Sequence, residues 1–75
     1  MNQSLVQARK NAGMSQQQLA DLAGVDRSTY AHYERGKRPT LGRAVRIAKA
    51  LNKSVEDLFM AVVNEHKEKT GTTGD

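Results

Sequence analysis

Apolar side chains recur along this chain at the three- and four-residue spacing of amphipathic helices, and no stretch keeps the two-residue rhythm of a half-buried strand. The pattern predicts an all-α protein, a compact bundle of five helices. The first runs from about Ser4 to Ala12, and Gly13 ends it as a left-handed cap. The second follows Ser15. Gln18, three residues later, completes a capping box that satisfies two orphan amides. Gly24 ends this helix, because glycine takes the positive φ of a tight turn at little cost. The third starts after Asp26, a good N-cap, and stops at Gly36. Lys37, Arg38 and Pro39 form a short basic loop before Thr40, which caps a fourth helix ending near Leu51, with Asn52 in the left-handed position. Gly42, early in that helix, costs roughly 1 kcal/mol against alanine. Ser54 caps a fifth helix, from Val55 to about Lys67.

On the fourth helix, Leu41, Ala44, Val45, Ile47, Ala48 and Leu51 make one apolar arc, and on the fifth Val55, Leu58, Phe59 and Val62 do the same. Both arcs are expected in the core. Met60, Ala61 and Val63 widen the apolar surface beyond the needs of one small core, which points to self-association through the last helix. Met60, Val63 and His66 are the candidate dimer contacts; His66 continues the stripe of Val55, Phe59 and Val62. Residues 1–67 read as one domain, and residues 68–75, rich in Thr and Gly, as a disordered tail.

The third helix divides most sharply. At about 100° per residue, Arg27, Ser28, Ala31, His32 and Arg35 share one face, and Thr29, Tyr30, Tyr33 and Glu34 the other. The first face is slim, polar and basic; the second is bulky and able to pack. A helix anchored by its bulky side and free on its slim cationic side matches a DNA major groove, which is about 12 Å wide and admits one helix. The preceding helix is joined to it through Gly24-Val25-Asp26, a short turn containing glycine, as a helix-turn-helix requires.

Composition narrows the classes. Seventy-five residues allow one domain. The chain has no cysteine, which excludes disulfides, thiolate metal sites and cysteine nucleophiles. His32 and His66 lie far apart without other ligands nearby in sequence, so no metal site is expected. No glycine-rich phosphate loop and no nucleophile–base pair appears, so neither catalysis nor a cofactor is expected. The first residues carry no secretory pattern and no apolar run reaches membrane-spanning length, which predicts a cytoplasmic protein. The formal net charge is +4. The excess is concentrated in Arg27, Arg35, Lys37, Arg38, Arg43 and Arg46, opposed between residues 27 and 46 by Glu34 alone. A basic middle on a near-neutral scaffold suits a polyanion. One Phe and two Tyr, none in a stacking array, give little support for a single-strand binding platform.

Met14-Ser15-Gln16-Gln17-Gln18-Leu19-Ala20, Gly24-Val25-Asp26-Arg27-Ser28-Thr29-Tyr30 and Tyr33-Glu34-Arg35-Gly36-Lys37-Arg38-Pro39, followed by Ile47-Ala48-Lys49-Ala50-Leu51 and Asp57-Leu58-Phe59, resemble the Cro/C1-type (XRE) helix-turn-helix family. The likeness extends from about Ser4 to Met60. It implies a lambda-repressor-like bundle whose second and third helices read DNA. It also implies that Arg27, Ser28 and His32 face base edges, and that Gln16, Arg35, Lys37, Arg38 and Arg43 contact phosphates. Arg9 and Glu34 match the family's internal ion pair, and Tyr30 stands where the family often has an aliphatic core residue. The implied function is transcriptional regulation, as a repressor, by a homodimer on a near-palindromic operator. The competing reading is an antitoxin-like module that binds a partner protein, such as a toxin or antagonist, and autoregulates its promoter.

Overall fold

The computed structural model describes residues 1–59, which form five helices and no strand: α1 (Gln3–Asn11), α2 (Gln16–Ala23), α3 (Arg27–Glu34), α4 (Leu41–Leu51) and α5 (Val55–Leu58). Every start except that of α3 has a side-chain cap. Ser15 and Gln18 close the capping box of α2, the Thr40 hydroxyl accepts from the Arg43 amide at the head of α4, and Ser54 and Asp57 close a second box on α5. Left-handed residues end two helices, Gly24 at φ 69° after α2 and Asn52 at φ 55° after α4.

The core is one cluster: Leu5 and Ala8 of α1; Leu19, Ala20 and Ala23 of α2; Tyr30 and Tyr33 of α3; Ala44, Ile47, Ala48 and Leu51 of α4; and Leu58 with Phe59 at the end of α5. Met14, Val25, Ala50 and Val55 pack against its edge. Burial of a side chain such as Leu19 or Ile47 contributes about 1.5–3 kcal/mol. Helices α2 and α4 share the most extensive contact, and each contributes two buried alanines. Small side chains there let the two axes approach closely, so α4 backs α2, the first helix of the pair α2–α3.

Asn2 joins three elements. Its Oδ1 accepts from the Leu5 amide at 3.0 Å as the N-cap of α1, its Nδ2 donates to the Leu58 carbonyl at 2.7 Å, and its backbone N–H donates to the Glu34 carbonyl at 2.8 Å. The start of α1 is thereby tied to the ends of α3 and α5.

Three expectations are corrected. Leu41 and Val45 do not belong to the core: they are 43% and 36% exposed. Ala44, Ile47, Ala48 and Leu51 fill an arc of about 100° on α4, and Leu41 and Val45 fall on its flank, where the neighbouring helices no longer cover them. The third helix ends at Glu34, two residues before Gly36, with Arg35 as its cap. The fifth helix ends at Leu58: Phe59 leaves helical geometry, at φ −135° and ψ 60°, as its ring enters the core. The candidate dimer contacts Met60, Val63 and His66, the boundary at 67 and the tail 68–75 lie outside the described residues.

Candidate nucleic-acid interface

The turn between α2 and α3 is built by three backbone and side-chain devices. Gly24, in the left-handed region, lets its own N–H reach the Asp21 carbonyl at 3.2 Å and the Val25 N–H reach the Ala20 carbonyl at 3.0 Å. Val25 then packs on the core, which fixes the angle at which the chain enters α3. Arg46 of α4 closes the same turn from behind, its Nε donating to the Ala23 carbonyl at 2.9 Å. A cation at this helix end also opposes the negative pole of the α2 dipole. Asp26 is the N-cap residue of α3, but its side chain makes no cap hydrogen bond; the carboxylate accepts instead from the Ser28 hydroxyl at 3.2 Å.

On α3 the two faces separate, with Thr29 and Ala31 intermediate. Arg27, Ser28, His32 and Arg35 are exposed and Ala31 is half-buried between them, whereas Tyr30, Tyr33 and Glu34 are buried. Thr29 is half-buried at the margin. Beside the start of α3, Gln17, Asp21 and residues 24–28 line a shallow polar depression of about 680 Å³. The base-edge candidates Arg27, Ser28 and His32 thus lie on one open surface.

Beneath that surface is a polar cluster centred on Glu34, whose side chain is only 6% exposed. Its Oε2 accepts from Arg9 Nε at 2.6 Å and from the Tyr30 hydroxyl at 2.5 Å; its Oε1 accepts from Gln16 Nε2 at 2.9 Å and Arg9 Nη2 at 3.3 Å. Arg9 Nη1 donates to the Met14 carbonyl at 2.9 Å, so one guanidinium spans α1, the α1–α2 turn and α3. Burial alone would push the Glu34 carboxyl up. The hydrogen bonds from Arg9, Tyr30 and Gln16, with the Arg9 charge, outweigh it and hold the group below the usual carboxylate range. Arg9 is pushed up, chiefly by its hydrogen bond to Glu34. The Tyr30 phenol is pushed far up by burial and then by its hydrogen bond to the carboxylate, so it stays a donor.

The candidate phosphate contacts divide by position. Arg35, Lys37 and Arg38 follow directly from the end of α3 and are exposed. Arg43 is exposed on α4 but is drawn toward α3 by its Nη1, which donates to the Tyr33 hydroxyl at 3.3 Å. Gln16, the first residue of α2, is half-buried, with its side-chain amide turned in toward Glu34. Sequence reasoning counted Arg46 in the basic excess of residues 27–46 and assigned Tyr30 only to packing; it did not find the contact of Arg46 with Ala23, or the part of the Tyr30 hydroxyl in the Glu34 cluster. Among the described residues no group of three or more His, Asp or Glu side chains is placed to hold a metal ion, and no helix is long and apolar enough to cross a membrane.

A helix-turn-helix family model matches residues 5–58, which covers all of the described residues except 1–4 and Phe59. A protein of Archaeoglobus fulgidus named as an uncharacterized HTH-type transcriptional regulator is 43% identical over 53 residues, covering 69% of this chain and 76% of its own length. A second regulator so named from the same organism is 36% identical over 70 residues, covering 92% of this chain and 99% of its own. The HTH-type regulator YgzD of Bacillus subtilis, also named as uncharacterized, is 37% identical over 60 residues, covering 79% and 91%. No solved structure matches significantly. The capped α2–turn–α3 unit, the buried Arg9–Glu34 pair behind it and the match over residues 5–58 lead to one assignment: the chain belongs to the Cro/C1-type helix-turn-helix family.

Proposed function

We propose that this protein is a sequence-specific regulator of transcription that binds double-stranded DNA, as a homodimeric repressor on a near-palindromic operator. Family membership and relatives named as HTH-type transcriptional regulators support the general reading of DNA binding. The observation that supports sequence-specific reading is the two-sidedness of α3: Tyr30, Tyr33 and Glu34 anchor it, while Arg27, Ser28, His32 and Arg35 share the open side.

Binding needs no bond chemistry. Lys37, Arg38, Arg35 and Arg43 displace counterions from phosphates, with the head of α2 at Gln16 meeting the backbone beside them. Helix α3 then lies in the major groove. Arg27 addresses guanine through O6 and N7, and Ser28 and His32 test neighbouring base edges. In a two-fold dimer the two α3 helices stand about 34 Å apart, one turn of DNA, which makes the operator near-palindromic. Repression follows where the site overlaps a promoter.

Footprinting on the DNA flanking its own gene, with half-site spacing measured, tests this reading. Two similar half-sites about one turn apart are expected. Protection indistinguishable from that on random duplex, at the same stated salt concentration, ends it.

A further inference from the structure

We propose that the Tyr30 hydroxyl is a positioning residue for the DNA contact of Gln16, acting through the carboxylate of Glu34. The inference rests on the reading of Gln16 as a contact at the head of α2. The geometry is a relay from the core to the surface. Tyr30 is fully buried and its ring is fixed by packing, so the direction of its O–H is set by the fold. That hydroxyl and Arg9 Nε converge on Glu34 Oε2, at 2.5 and 2.6 Å. The carboxylate is then locked about its last torsion, and Oε1 is aimed at Gln16 Nε2, 2.9 Å away.

Glu34, held ionised, is an acceptor only. It therefore selects which way the Gln16 amide faces: the NH2 group points inward. The carbonyl and the second amide hydrogen are left for the outer side, at the end of α2 where the helix N–H groups also point. A flexible glutamine at this place would sample several rotamers and both amide orientations. The relay removes that freedom before DNA arrives, so the contact costs less ordering on binding. An aliphatic residue in place of Tyr30 would keep the Arg9–Glu34 pair but drop one of the two donors that fix Oε2.

A double-mutant cycle separates positioning from stability. Tyr30→Phe keeps the ring and removes only the hydroxyl; Gln16→Ala removes the contact. Binding is measured on a labelled random-sequence duplex at low salt, well below the melting temperature of every variant, because a phosphate contact does not depend on sequence. Tyr30→Phe is expected to weaken binding by about threefold or more when Gln16 is present, and by less than about 1.5-fold when it is alanine, the non-additivity of residues in one network. The Gln16 side-chain amide hydrogens should also exchange faster with solvent in Tyr30→Phe. Should Tyr30→Phe lower the melting temperature and leave binding unchanged, or weaken it equally in both backgrounds, the hydroxyl is merely structural and the proposal is overturned. If Gln16→Ala alone leaves binding intact, the contact at Gln16 is wrong and the relay has nothing to position. The reading of α3 then stands or falls separately, on Arg27→Ala.

Discussion

Replacing Glu34 by glutamine keeps the shape of the side chain and removes its charge. The wild-type carboxylate accepts four hydrogen bonds, two on each oxygen. A glutamine has one acceptor oxygen. Its NH2 group must therefore face two donors, either Tyr30 and Arg9 Nε or Gln16 and Arg9 Nη2. Arg9, 13% exposed at its side chain, also loses its counter-charge. Breaking one partner of a buried pair costs about 3–5 kcal/mol, and the residual exposure of Arg9 argues for the lower end, about 3 kcal/mol. For a domain of this size, that lowers the melting temperature by roughly 12–24 °C.

Thermal unfolding followed by circular dichroism at 222 nm measures this, and pH provides a control. Because the folded-state Glu34 carboxyl titrates below its unfolded value, the stability it contributes is fully present above the unfolded pKa and is lost as pH falls through the folded one. The wild type should therefore lose more stability than Glu34→Gln between neutral and acidic pH, and the gap between the two melting curves should narrow as the solution is acidified. A neutral-pH shift of less than about 4 °C, roughly 0.5–1 kcal/mol here, would show that the cluster relaxes freely and would refute the reasoning.

Other substitutions test separate parts of the molecule. Arg27→Ala should weaken the selected operator by about 1–3 kcal/mol and relax selectivity at one base pair, read by binding to a panel of single-site operator variants; equal losses on cognate and random duplex would remove Arg27 from base reading. Lys37→Ala should weaken all duplexes alike and reduce the slope of log affinity against log salt by about 1, so an unchanged slope would exclude a phosphate contact. Gly24→Ala meets no atom within 4 Å of the added Cβ, so its cost is that of holding alanine at φ 69°, about 1–2 kcal/mol in denaturant titration. A stability equal to wild type would mean that the turn adapts.

The two faces of α3 were legible because the nine residues after Asp26 set the two tyrosines on one side and the basic groups on the other with helical period, and the tyrosine side is the buried one. Helix starts at Ser15, Thr40 and Ser54 were legible for a similarly local reason: a cap acts over three residues. The Asn2 cap had such a signal, an asparagine three positions before the buried Leu5, although the helix was expected to begin only near Ser4. The pairing of Arg9 with Glu34 bridges 25 positions, and only family resemblance pointed to it. The Tyr30 hydroxyl, the inward Gln16 amide and the Arg46 contact had no local signature, because each depends on how helices distant in sequence are set against one another. Leu41 and Val45 were misplaced because periodicity gives the direction of an apolar arc and leaves its width to the neighbours that cover it.

The side-chain bond from Asn2 to Leu58 closes a span of 56 residues. Drawing together the ends of so long a segment costs about 3.5 kcal/mol in chain entropy, several times the roughly 1 kcal/mol that one neutral hydrogen bond returns. This clasp therefore latches only after the helices between have already docked, and, held by about 1 kcal/mol of its own, it is expected to open early. Near-native fluctuations should begin at this seam, where residues 2 and 58 part, while the turn at Gly24, braced from behind by Arg46, keeps its shape. The molecule can thus breathe at the meeting point of its outer helices without blurring the edge it offers to a partner.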